Sequence, residues 1–198
     1  YRDFWPADIE IVGKDIARFH AIIWPAMLLG LGLELPRQLM IHGFINVGGA
    51  KMSKSLGNVV SPLEIIDEYG VDAFRYYFAR HIPTFEDGDF TWEKFEAAYN
   101  GELANDLGNL VSRVANMAKK YMAGDLSSIA DANSMSTTSA YLDNLQLATA
   151  IDDVWLQIQR ANKFVDDQKP WQLAKTGESD QLAATMSKLV SDIRMIAR

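Results

Sequence analysis

Residues 49–62 read GAKMSKSLGNVVSP. Lys51 and Lys54 stand three apart, with Met52 and Ser53 between them and Ser55 directly after. Gly48 and Gly49 lead into the pair and Gly57 follows it; glycine permits positive φ and a close approach of backbone to ligand. Lysines supply point charges for phosphate, and hydroxyls add hydrogen-bond donors. A loop of this content between a strand and a helix can clamp a polyphosphate and stabilise the charge that develops on attack at an α-phosphorus. Short Lys/Ser/Gly runs also occur as solvated basic turns, so the flanks carry weight. Upstream, LMIHGFINV (39–47) reads as one buried strand bounded by glycines. Downstream, Ser61-Pro62-Leu63-Glu64 predicts a capping box with proline at the first helical position, opening a helix over 62–69 that stops at Gly70. Strand, lysine loop and capped helix together read as α/β.

Toward the N-terminus, DIEIV (8–12) predicts a short strand, followed by Gly13 and a helix over 15–30. Strand, glycine and helix start is the geometry for a nucleotide at the carboxyl end of a strand. Asp15 can accept from ribose hydroxyls or simply cap the helix. Ile16, His20 and Trp24 recur every fourth residue and so share a face. Pro25 should kink the helix or free a carbonyl. Such a face suits a thioether ligand, because sulfur packs well on aromatic rings; a buried core face with a satisfied histidine is the alternative. No carboxylate stands at a ligand spacing from His20, which disfavours a metal.

Toward the C-terminus, a helix is expected over 72–80, then an acidic connector, PTFEDGDFT (83–91), where the main domain change is placed. From Trp92 the pattern is helical only, so the fold class is α/β followed by all-α. Segments are expected over 92–99 and 102–122, the latter with Leu103, Leu107, Leu110, Val111, Val114 and Met117 inward. Asn109, Arg113, Asn116 and Lys120 make a polar stripe that either reads RNA or is a solvated face. A mobile loop over 123–139, a helix over 140–166, a break at Lys169-Pro170-Trp171, a short helix to Lys175 and a last helix over 180–198 complete the reading.

The 198 residues carry a net charge of −7 and no cysteine. Disulfides and cysteine-ligated zinc are excluded. No run of eighteen apolar residues suggests a membrane span, and the charged start YRDFWPADIE lacks a secretory pattern. The acidic balance argues against non-specific coating of nucleic acid but leaves room for a local RNA-binding face.

Several strings, taken together, resemble methionyl-tRNA synthetases of class I: IVGKDIARFHAIIWPAMLLGLGL (11–33), HGFINVGGAKMSKSLGNVVSP (42–62), YGVDAFRYY (69–77), LANDLGNLVSR (103–113) and ANKFVDDQKPWQLAK (161–175). The lysine loop is shared by several class I synthetases; GKDI with the following FH and WPA, and NDLGNLV, point to methionine. The resemblance implies the C-terminal half of a Rossmann-like domain over 1–48, the lysine loop and a connecting fold over 49–91, and an antiparallel anticodon-binding helix bundle over 92–198. It implies that Gly13 and Asp15 hold the adenylate ribose and that Ile16, His20 and Trp24 line the methionine pocket. His42 and Ile45 would lie on one strand near the adenine. Lys51, Met52, Ser53, Lys54 and Ser55 would face the ATP phosphates, with Lys54 and Lys51 catalytic. Asn109, Arg113 and Trp171 would contact a CAU anticodon.

The implied activity is methionine–tRNA ligase, using methionine, ATP with Mg²⁺, and tRNA(Met) in the cytoplasm, with an organellar location left open and no membrane partner. The family's first ATP motif, His-Ile-Gly-His, does not occur in these residues. Zinc is expected only in an insertion that is also missing. The chain is therefore expected to be a fragment, inactive alone, whose cut sheet exposes apolar surface. A synthetase for leucine, isoleucine or valine, or a helical tRNA-binding module, are the alternatives.

Overall fold

The computed structural model describes residues 3–125, 129 and 136–198, apart from the side chains of 136 and 137. Two compact units divide the chain, one ending at Thr91 and the other beginning at Trp92. The first is mixed α/β and the second is helical among its described residues.

In the first unit, β1 (Ile9–Gly13) pairs in parallel with β2 (Gln38–His42), register Ile9 to Gln38 and Gly13 to His42. Between them lie a π-helical segment, Phe19–Ile23, and α1 (Trp24–Gly30). Pro25 explains the wide turns. It carries no N–H, and the residue before it, Trp24, donates to Phe19 O, five residues back.

The single strand expected over 39–47 is two strands in two sheets. β2 ends at His42, and β3 (Ile45–Val47) joins a second sheet in the order β4-β3-β5, where β4 is Ala50–Lys51 and β5 is Gly88–Phe90. Gly43 is the reason. A Cβ on it would lie 2.0 Å from the carbonyl oxygen of Glu86, so only a glycine lets the 86–88 backbone pass. The acidic connector is correspondingly not a mere connector: β5 lies inside it, parallel to β3 with Ile45 opposite Gly88. A three-residue strand is too short for periodicity to reveal.

The capped helix forms as expected. α2 (Pro62–Tyr69) starts at Ser61, whose Oγ accepts from the Leu63 N–H, one residue earlier than the capping-box pattern, and it ends at Gly70, φ 86°. α3 (Val71–His81) follows. Phe90 of β5 is fully buried, with the Phe78 ring stacked 5.8 Å away and Tyr77 edge-on at 5.7 Å. Burial, and then the charge of Asp89, push the Tyr77 hydroxyl above its ordinary pKa. The expected apolar exposure is present: Ile9 and Ile11 of β1 are 40% and 65% exposed.

The second unit runs α4 (Trp92–Ala98), a π-helical stretch Tyr99–Gly108, α5 (Asn109–Tyr121), α6 (Ser136–Asp143), α7 (Leu147–Gln168), α8 (Pro170–Thr176) and α9 (Ser179–Ile196). The expected break at Asn100-Gly101 is absent, because the backbone stays helical through the π segment. α5, α7 and α9 pack pairwise. Their core is Leu110, Val114 and Ala118 of α5, Ile158, Ala161 and Val165 of α7, and Met186 and Leu189 of α9. Val111 is a correction: it sits off the 110–114–118 row and is 40% exposed. The helix expected over 140–166 is divided by a turn at Leu145, φ 59°. The loop expected over 123–139 is shorter than that, because 136–139 already belong to α6, and its residues 126–128 and 130–135 lie outside the described residues. Lys169 is left-handed, φ 45°, and Pro170 then opens α8. Among the described residues no helix is long and apolar enough to cross a membrane.

Candidate functional site

The carboxyl ends of β1 and β2 bring Gly13, Asp15 and His42 together. A Cβ on Gly13 would lie 2.8 Å from Asp15 Oδ1 and 3.7 Å from His42 Cε1. The Lys14 N–H donates to His42 O at 3.0 Å, and the Ile16 N–H turns back to Gly13 O at 3.1 Å. Asp15 is not a helix cap: among the described residues its carboxylate takes no hydrogen bond. His42 Nδ1 meets Gly43 O at 2.8 Å. A carbonyl only accepts, so Nδ1 is the donor in this contact, and Nε2 takes no hydrogen bond among the described residues. Ile45 is on β3, and His42 and Ile45 therefore belong to different strands and sheets, contrary to expectation.

A pocket of about 400 Å³ is lined by Glu10 of β1 with Phe19, His20, Ile23, Trp24 and Met27. His20 and Trp24 meet there as the spacing implied. Ile16 is not in the lining and is 40% exposed. His20 Nδ1 donates to Ile16 O at 3.0 Å. Trp24 packs edge-on against Trp5, 6.2 Å between ring centroids, and also borders an apolar pocket of about 280 Å³.

The lysine loop is more structured than a turn. β4 pairs back on β3, and a 3₁₀ turn, Lys54–Leu56, ends at Gly57 with φ 67°. Asn58 straps it: its Oδ1 accepts from the Ser53 N–H at 2.8 Å and its Nδ2 donates to Lys51 O at 3.2 Å. Ser53 and Ser55 hydroxyls pair at 2.7 Å. Met52 is half-buried. Lys54 is exposed and takes no side-chain partner among the described residues. Lys51 lies over the Phe44 ring, 4.8 Å from its centroid.

In the helical unit, Asn109 opens α5 on the exposed side and Arg113 follows one turn later. Arg113 reaches Asp166 of α7 at 2.7 Å and stands 6.0 Å from the Trp171 ring centroid. Trp171 is half-exposed while Pro170 is buried. Among the described residues Asn116 and Lys120 make only local contacts, to Ser112 and Tyr121. No group of three or more His, Asp and Glu forms a metal-ligand set among the described residues.

A family model described as tRNA synthetases class I (M) matches residues 1–115. The chain belongs to the class I (M) tRNA synthetases. This synthetase chain is 43% identical over 210 residues to the methionine–tRNA ligase of Caldanaerobacter subterraneus, covering 99% of itself and 33% of that protein. Against the methionine–tRNA ligase of Lactiplantibacillus plantarum the identity is 42%, covering all of the chain and 31% of the relative. The chain thus spans about a third of the length of these relatives. Among solved structures, it superposes on Mycobacterium tuberculosis methionyl-tRNA synthetase in complex with methionyl-adenylate with a TM-score of 0.82 at 35% identity, covering 99% of this chain and 41% of that one.

Sequence reasoning about this synthetase passed over three residues. Glu10 carries a buried carboxylate oxygen, Oε2, with no hydrogen bond among the described residues, in the wall of the larger pocket. Its signal was a charge between two apolar strand residues, Ile9 and Ile11. Asn58 straps the lysine loop, and Asp166 holds Arg113; neither shows in spacing, because each partner is fixed by how the chain folds back.

Proposed function

We propose that this chain supplies one wall of the ATP site, the lysine loop and the anticodon-reading helices of a methionine–tRNA ligase. The observation that carries it is the meeting of Gly13, Asp15 and His42 at the carboxyl ends of two parallel strands. A bare glycine backbone, a carboxylate with unspent acceptors and an imidazole with one open nitrogen stand where open α/β sheets bind nucleotides. In this reading residues 1–48 are part of a Rossmann-like domain, 49–91 a connecting fold and 92–198 an antiparallel helix bundle.

Asp15 accepts from the ribose hydroxyls, and His42 and Ile45 border the base. His20 and Trp24, with Ile16 at the margin, border the methionine side chain, whose sulfur packs on aromatic faces. A methionine carboxylate oxygen attacks the α-phosphorus of ATP, and the bond to pyrophosphate breaks. No protein nucleophile is needed; positioning and charge stabilisation suffice. Lys54, with Lys51 and the loop groups Met52, Ser53 and Ser55, faces the negative charge growing on the phosphates, and Mg²⁺ arrives with ATP as part of the substrate. A hydroxyl of the terminal adenosine of tRNA(Met) then takes the acyl group and AMP leaves. Asn109 and Arg113 contact anticodon bases, and Trp171 offers a stacking face. The ligase works in the cytoplasm, and the chain by itself forms no adenylate.

Amino-acid-dependent ATP–pyrophosphate exchange in the intact ligase, with methionine, leucine, isoleucine and valine in parallel, tests this. Exchange with methionine alone is expected. Exchange with a branched aliphatic substrate instead would remove the methionine assignment, and exchange with none would remove the enzymatic one.

A further inference from the structure

Two cations converge on one aromatic ring at the root of the lysine loop. Lys14 Nζ lies 4.7 Å and Lys51 Nζ 4.8 Å from the centroid of Phe44. Lys14 sits between Gly13 and Asp15, and Lys51 closes β4. Only one of the two charges is neutralised. Asp87 Oδ2 takes Lys14 at 2.6 Å, while among the described residues Lys51 has no carboxylate partner.

The main chain that carries the ring is held on both sides. The Phe44 N–H donates to Asp87 Oδ1 at 2.8 Å, and Phe44 O accepts from the Gly88 N–H at 2.9 Å. The same short segment holds the start of the loop: Asp89 Oδ1 accepts from the Gly49 N–H at 2.7 Å, and Phe90 O from the Gly48 N–H at 3.1 Å. One side of this scaffold therefore grips Phe44 and the other grips the glycines that lead to Lys51. The hydrogen bond from Lys14, and then that from the Phe44 N–H, keep the Asp87 carboxyl below its ordinary pKa, so the grip persists at neutral pH.

We infer that Phe44 and Asp87 are positioning residues for Lys51: the ring seats its ammonium, and Asp87 fixes the ring while cancelling Lys14. This rests on the adenylate-forming reading above. A ring face suits the task because it attracts an ammonium without satisfying its hydrogen bonds or cancelling its charge. A carboxylate in that place would compete with a polyphosphate for Lys51; the ring narrows the rotamers of a long, flexible side chain and leaves its charge available. Neither Phe44 nor Asp87 needs to touch the substrate.

The test compares wild type, Phe44→Leu, Phe44→Trp and Asp87→Asn in the intact ligase. Phe44→Leu and Asp87→Asn should lower kcat/KM for ATP in pyrophosphate exchange by roughly fivefold or more, with the KM for methionine unchanged, as expected when an electrostatic contact to the phosphates is loosened. Phe44→Trp, which keeps a cation-binding face, should stay within about twofold of wild type. In parallel, carbon-13 methyl spectra of the dimethylated lysines should place Lys51 upfield in wild type and Phe44→Trp through the ring current, and at the exposed-lysine position in Phe44→Leu. A wild-type ATP response in Phe44→Leu, or a Lys51 signal that does not move, would overturn the inference alone. Absence of methionine-dependent exchange in wild type would overturn the enzymatic reading and this inference with it.

Discussion

At the ends of β1 and β2, Gly13, His42 and the nearby Gly43 and Asp87 are brought together mainly through backbone: a glycine gap, a strand register and main-chain N–H groups. In the helical unit, Arg113, Asp166 and Trp171 meet through side chains projecting from elements already formed. The first arrangement is therefore intolerant of added atoms, and the second is sensitive to charge and ring removal but not to shape. The difference follows from what each must resist. A backbone gap has no soft end to move, whereas half-exposed side chains re-solvate when a partner is lost.

Gly43→Ala should break the first region outright. Its Cβ meets the Glu86 carbonyl group at 2.0 and 2.2 Å, backbone atoms that cannot swing away, so a loss of about 3 kcal/mol or more is expected in denaturant unfolding of the first unit. Gly88→Ala makes the comparison, because its Cβ meets side-chain atoms only, Ile82 Cγ2 at 2.6 Å and Pro83 Cδ at 3.2 Å; overpacking of about 1–3 kcal/mol is expected, below the Gly43 loss. Equal losses would show that side-chain and backbone gaps do not differ here.

Lys54→Ala in the intact ligase should depress pyrophosphate exchange by about a hundredfold or more, the scale of one lost transition-state donor, with methionine binding nearly unchanged. Equal loss of both would remove Lys54 from the phosphate role. In the second region, Trp171→Ala should weaken binding of a CAU anticodon hairpin about tenfold, as loss of one stacking face does, without destabilising the helices. A hairpin with a changed first base should bind both proteins alike.

The smallest effects belong to ion pairs. Arg113 and Asp166 are 39% and 64% exposed, so Asp166→Asn should change thermal stability by less than about 1 kcal/mol, shrinking with added salt. Asp87 has a lowered native pKa, so its contribution to stability is present in full above the ordinary aspartate value of 3.8 and is lost as the pH falls through its lower native value. An acid titration of Asp87 by carbon-13 resonance should find its midpoint below 3.8, and Lys14→Met should raise it.

The Ser61-Pro62 helix start, the Gly70 and Lys169-Pro170 stops and the Leu110 and Val114 row of α5 were legible, because each is written in residues that are neighbours along the chain. Hydrophobic spacing and capping are local physics, and so is the stretch of motifs that marks the family. The joining of Gly13 to His42, the sheet change at Gly43, the strand hidden in 88–90, the strap from Asn58 and the pairing of Arg113 with Asp166 were decided by tertiary structure alone. Each depends on which distant segment the backbone admits. Nothing in the sequence around Gly43 says that Glu86 will pass within contact of it, and nothing around Phe44 says that two lysines will settle on its ring.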